Sequence, residues 1–99
     1  MAKRTRQKQY LHDKAVRKEA ERYKKMGFKV RADLPGYLKP KPIGKYKRVP
    51  DIEATKRGTR HIVEIETPDS VEKDRDQISS FRRSAAHRRR TKFRLRVVG

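Results

Sequence analysis

Apolar and polar residues alternate most regularly in the middle of this chain. Residues 51–55 (D-I-E-A-T) alternate, and residues 60–66 (R-H-I-V-E-I-E) alternate again with several β-branched side chains, so both predict strands. Lys56-Arg57-Gly58-Thr59 between them reads as a turn, with Gly58 free to take positive φ. Upstream, Val16, Ala20, Tyr23 and Gly27 recur at spacings of four, three and four. That period predicts a helix over residues 10–26, with Gly27 at its C′ position and Phe28 packing back on Tyr23. Residues 28–32 form a short strand with Phe28, Val30 and Ala32 on one face. Four prolines (Pro35, Pro40, Pro42, Pro50) make most of residues 33–50 a loop, with residues 43–49 as an alternative edge strand. Thr67-Pro68-Asp69-Ser70 opens a second helix, with Asp69 and Glu72 as a capping pair and Val71, Ile78, Phe81 and Ala85 as its apolar stripe. Residues 92–98 form the last strand, Phe93, Leu95 and Val97 facing one way and Lys92, Arg94 and Arg96 the other. A right-handed helical crossover pairs it parallel to residues 60–66. The order helix, strand, strand, strand, helix, strand is α/β, a central mixed sheet with flanking helices.

The hairpin register follows from its turn. A turn centred between Arg57 and Gly58 sets Asp51 opposite Glu64 and Glu53 opposite Ile62. Side chains alternate faces, so Glu66 shares a face with Glu64. Three carboxylates, Asp51, Glu64 and Glu66, converge on one face, and opposed like charges destabilise a sheet. A hard divalent cation bound through oxygen would neutralise them. The plain alternative is the solvated face of an ordinary hairpin.

Charge changes that picture. The 99 residues carry 30 Lys and Arg against 12 Asp and Glu, a net charge of +18. Residues 51–76 hold 8 of the 12 acids and 5 of the 30 bases, so an acidic island sits in a strongly basic chain. Such a charge implies a polyanionic partner, by default nucleic acid. There is no long apolar run and no signal-peptide core, so a membrane partner is not expected and a cytoplasmic location is. With no cysteine, disulfides and thiolate metal sites are excluded. Only 32% of residues are hydrophobic, which leaves a thin core for a single domain over residues 10–99 and makes a homodimer plausible. Residues 1–9 are a basic tail without apolar period, expected to be flexible until it meets nucleic acid.

Two cationic stretches are candidate phosphate holders. The proline-rich loop carries Lys39, Lys41, Lys45, Lys47 and Arg48 with Tyr37 and Tyr46, a mixture suited to ionic grip and base stacking. Its tyrosines could equally cover the small core. The second helix ends in Arg82, Arg83, His87 and Arg88-Arg89-Arg90, where cations also suit the helix dipole. His12, His61 and His87 show no metal-ligand spacing and read as surface or core-edge residues.

With Pro50-Asp51 and Glu64-Ile65-Glu66 on the hairpin, Glu19 in the helix before Gly27-Phe28-Lys29-Val30, and Gln77-Ile78-Ser79-Ser80-Phe81 on the next helix, the chain resembles the PD-(D/E)xK nuclease superfamily. The resemblance is closest to minimal members such as archaeal Holliday junction resolvases, and it covers residues 15–98. It implies a restriction-endonuclease-like core acting on DNA, with RNA as the alternative, and using Mg²⁺ or Mn²⁺. It implies that Asp51, Glu64 and the carbonyl of Ile65 hold the ion. Glu19 would complete a second metal site, and Gln77 would orient the nucleic-acid backbone or a bound water.

One position departs from the pattern: the signature lysine is Glu66 here. Glu66 would act as general base or further ligand, and Lys56 and Lys73 are candidates for a displaced cation. The expected function is a metal-dependent endonuclease on branched or structured DNA. A non-catalytic nucleic-acid-binding protein on the same fold, or a small basic RNA- or ribosome-associated protein, are the alternatives.

Overall fold

The computed structural model describes residues 5–98; the first four residues of the expected tail, and Gly99, lie outside them. Helix α1 spans Arg6–Lys25 and so takes in the rest of that tail. Thr5 starts it, its hydroxyl accepting the Lys8 N–H at 3.1 Å. The helix ends as its glycine requires. Gly27 has φ +90°, the Phe28 N–H bonds the Tyr23 carbonyl at 3.1 Å and the Gly27 N–H bonds that of Lys24 at 3.0 Å, a Schellman motif. Phe28 then packs edge-on against Tyr23, ring centroids 5.0 Å apart.

Strand β1 (Lys29–Ala32), β2 (Ile52–Lys56) and β3 (Thr59–Glu66) form an antiparallel meander. Ile52 pairs with Val63 and Glu53 with Ile62, the register expected from the turn. Arg57 and Gly58 both take positive φ, 49° and 81°, the pattern of a two-residue turn that matches strand twist. Residues 43–49 are not a strand. A single bridge, Ile43 with Arg48, closes a short turn there.

The second helix is two helices. Helix α2 spans Pro68–Lys73 and α3 spans Arg75–Ala86, with Asp74 between them at φ −100°, ψ 19°. The cap is also not the expected one. Thr67 is the N-cap, so Ser70 stands at the third helical position, and the two close a capping box. Glu72 instead pairs with Arg75 at 2.6 Å on the exposed surface. Strand β4 (Thr91–Val97) pairs parallel to β3, Ile62 beside Phe93 and Glu66 beside Val97.

The sheet order is β1-β2-β3-β4, an open four-stranded mixed sheet with helices on both faces: the chain is α/β. On one face Val16, Ala20 and Tyr23 of α1 pack on Ile52, Ala54, Val63 and Ile65. On the other, Phe81 of α3 packs on Ile62 and Phe93 with Ile43 of the loop. Each buried Val, Ile or Phe among them contributes about 1.5–3 kcal/mol relative to exposure. Among the described residues no helix is long and apolar enough to cross a membrane.

Candidate functional site at the end of the central hairpin

The site lies where β2 begins and β3 ends, on the face covered by α2 and α3. Asp51 and Glu64 clasp each other's strands. The Asp51 N–H donates to Glu64 Oε1 at 2.8 Å, and Asp51 Oδ2 accepts the Ile65 N–H at 2.8 Å. Gln77 of α3 donates from Nε2 to the second Glu64 oxygen at 3.1 Å. The structure therefore brings Asp51, Glu64, Ile65 and Gln77 into one hydrogen-bonded group.

Burial makes this group electrostatically unusual. Glu64 is 2% exposed. Its loss of water, then the charge of Asp51, push its carboxyl up to about 9. Glu66 is fully buried and accepts the Ser70 hydroxyl. Burial pushes it up to about 7, and Asp74, hydrogen-bonded to it, adds to the rise. The Glu66 carboxyl thus ties β3 to the start of α2 and to the break before α3.

Glu19 goes elsewhere. Its carboxylate is buried between Arg96, 3.4 Å away, and Arg22, 3.7 Å away, beside a cavity of about 770 Å³ that reaches from α1 to β4. The α1 residue that reaches the hairpin site is His12, two turns earlier. It is 5% exposed, with Nε2 3.0 Å from the Ile65 carbonyl oxygen and 3.3 Å from Asp51 Oδ2. A carbonyl only accepts, so Nε2 carries the hydrogen in that contact. His12 was read from the sequence as a surface or core-edge residue. The signal that finds it is its place four residues before Val16, which extends the stripe of Val16, Ala20 and Tyr23 toward the helix start.

The two candidate lysines separate cleanly. Lys56 Nζ donates to the Met26 carbonyl at 2.5 Å, at the turn end of the hairpin, and covers the Phe28 ring. Lys73 lines a polar cavity of about 550 Å³ together with Gln77, Asp74, Lys39, Lys47 and Arg48. Tyr46, 67% exposed, borders that cavity and a neighbouring one of about 490 Å³ lined by Lys45, Arg83, His87 and Arg88. Lys39, Lys45, Lys47, Arg48, Arg83 and Arg88 thus border one continuous loop–helix region. Arg82 lies over Phe93, Arg90 reaches back to Thr59 in the hairpin turn, and Arg89 and Lys41 are exposed. Tyr37 belongs to the core with Lys24 over its ring, which leaves Tyr46 as the loop's exposed aromatic. His61 bonds the Tyr23 hydroxyl at 3.1 Å on the α1 face; burial, then Lys92 and Arg94, lower its pKa.

Among the described residues, no three His, Asp or Glu side chains by themselves form a group able to hold a metal ion. The donor set depends on the main chain. Asp51, Glu64 and the Ile65 carbonyl supply hard oxygens, and His12 adds an imidazole nitrogen. Their chemistry suits a divalent cation, which on binding would displace the proton that burial keeps on the Glu64 carboxyl. No protein-family model matches the chain, and no curated protein or solved structure matches it.

Proposed function

We propose that the chain is a metal-dependent nuclease that hydrolyses phosphodiester bonds in DNA, on a restriction-endonuclease-like core. The observation that carries this reading is the Asp51–Glu64–Gln77 group, buried at the sheet end next to a loop–helix region lined with cations. A bound Mg²⁺ or Mn²⁺ supplies the positive charge that polarises a phosphate and acidifies water. The chain's own residues do the rest. Asp51, Glu64 and the Ile65 carbonyl hold the ion, and Gln77 fixes the Glu64 carboxylate by its second oxygen. Lys73 brings to the cavity the positive charge that Glu66 does not. Lys39, Lys47 and Arg48 hold flanking phosphates, and the Tyr46 ring offers a stacking face for an unpaired base. Branched or otherwise structured DNA, which presents such bases, is the proposed substrate, and a second copy of the chain would supply a second cutting site.

Cleavage of single-stranded, duplex and four-way-junction DNA tests this, with Mn²⁺ or Mg²⁺ set against a chelator. The expected result is metal-dependent cutting that Asp51→Ala reduces at least 100-fold with DNA binding retained. A second reading has a specific observation behind it. Glu66, held by Ser70 and Asp74, does structural work where the family's lysine does chemistry. On that reading the chain binds nucleic acid without cutting it, and the wild type binds in a strongly salt-dependent way but leaves every substrate intact.

A further inference from the structure

Helix α1 packs on β1, β2 and β3, and α3 covers β4 from the other side of the sheet. Among the described residues no second helix lies beside α1 over β4. The cavity of about 770 Å³ occupies that place, an open groove between α1 and β4. We propose that the groove is the docking site of an acidic amphipathic α-helix of a partner protein, lying alongside α1.

The wall that α1 presents is a helix-packing seam. Lys8, Leu11, Ala15, Lys18, Arg22 and Lys25 follow one another at spacings of three and four, the rows by which helices pack side by side. All but Ala15 are exposed. At 1.5 Å per residue the seam runs about 25 Å, room for a partner helix of about five turns. The floor is apolar, made by Leu11, Ala15, Ile65 and Val98, with Leu11 51% exposed.

The rim decides the charge of the occupant. Glu19, buried in the wall, holds Arg22 at 3.7 Å and Arg96 of β4 at 3.4 Å. One carboxylate fixes two guanidiniums and balances one of them, and each is about half exposed, with donors left for a further carboxylate. Lys18 and Lys25 extend the same edge. A nucleic-acid strand would satisfy these cations and leave the apolar floor against water. A second copy docked by two-fold symmetry would set the cationic seam against itself. A helix with apolar anchors at i, i+3, i+4 and i+7 and carboxylates beside them satisfies floor and rim together. The groove opens on the face of the sheet opposite the loop–helix cations, so such a partner can be held while nucleic acid occupies those.

Titration of ¹⁵N-labelled full-length protein with a peptide of about 18 residues tests this, leucines at that spacing and glutamates flanking them. A scrambled peptide of the same composition and a duplex DNA are titrated in parallel. The designed peptide is expected to turn helical on binding, to shift the amides of Leu11, Ala15, Arg96 and Val98, and to bind at least tenfold more tightly than the scrambled one. Leu11→Gln, at an exposed position, and Arg96→Ala should each weaken it at least fivefold. Arg96→Lys should restore part of the loss, and Arg17→Ala, an exposed cation of α1 outside the groove, should change it less than twofold. Equal binding of the scrambled peptide, or an equal loss in Arg17→Ala, overturns the proposal in favour of unspecific charge attraction. No binding of the designed peptide overturns it outright. Leu11→Gln and Arg96→Ala weakening the duplex but not the peptide gives the groove to nucleic acid. Self-association of the wild type, lost in Leu11→Gln, gives it to a second copy; either result overturns the proposal.

Discussion

Glu64 is where the chain spends stability on its site. In the unfolded chain this carboxyl titrates near the ordinary value of 4.5; folded, burial and then Asp51 hold it up to about 9. Between those values the unfolded state has lost a proton that the folded state keeps, so this residue's contribution falls as pH rises from about 4.5 to about 9. Glu64→Gln removes that dependence while its amide oxygen still accepts the Asp51 N–H. The variant should match wild type at pH 4 and exceed it by on the order of 2 kcal/mol at pH 8 in the absence of divalent ions, read from urea unfolding of both proteins at each pH. Saturating Mn²⁺ should reverse the order at pH 8, because only the carboxylate form gains from the ion. Equal curves at both pH values would mean that Glu64 is well solvated.

Among the elements, the junction of α1 with β1 rests on Gly27. Its φ of +90° is strained for any L side chain, yet a Cβ there would meet only the flexible end of Lys56, at 3.4 Å. Gly27→Ala should therefore cost about 1–2 kcal/mol through the backbone alone, seen as a lower urea midpoint at unchanged slope. This junction was legible in the sequence because a glycine following an apolar stripe carries its own local physics. The hairpin register and the parallel pairing of β4 were legible for the same kind of reason: a turn with Gly58 and a helical crossover each permit few geometries. Other features were not. The break at Asp74 comes with a buried contact to Glu66, which no local pattern announces. The helix cap fell on Thr67 rather than Asp69 because the hydroxyl of Ser70, not the carboxylate of Glu72, met the right turn. At the site, Asp51, Glu64 and Gln77 were readable from strand alternation and resemblance. Glu19 and His12 exchanged places because helix phase alone does not say which end of a stripe meets a strand end and which meets Arg96.

Taken whole, the molecule puts Glu64 and Glu66 on an inner strand and lines a loop, a helix and an outer strand with cations. Strand β3 has neighbours on both sides; β4 has one only. That outer strand is largely half-buried or exposed, with Val97 51% exposed, and Lys92, Arg94 and Arg96 along it discourage pairing with another sheet edge. Amide hydrogen exchange should accordingly show β4 opening at lower free energy than β2 and β3. While it is open, β3 becomes an edge: Glu64 and Glu66 lose Leu95 and Val97 from beside them, and water reaches carboxyls that burial had kept protonated. The lifetime of the dry, proton-retaining site is then set by the fraying of a strand that contributes no residue to it. Substitutions far along β4 that leave every site contact in place would still change how often the site is wet.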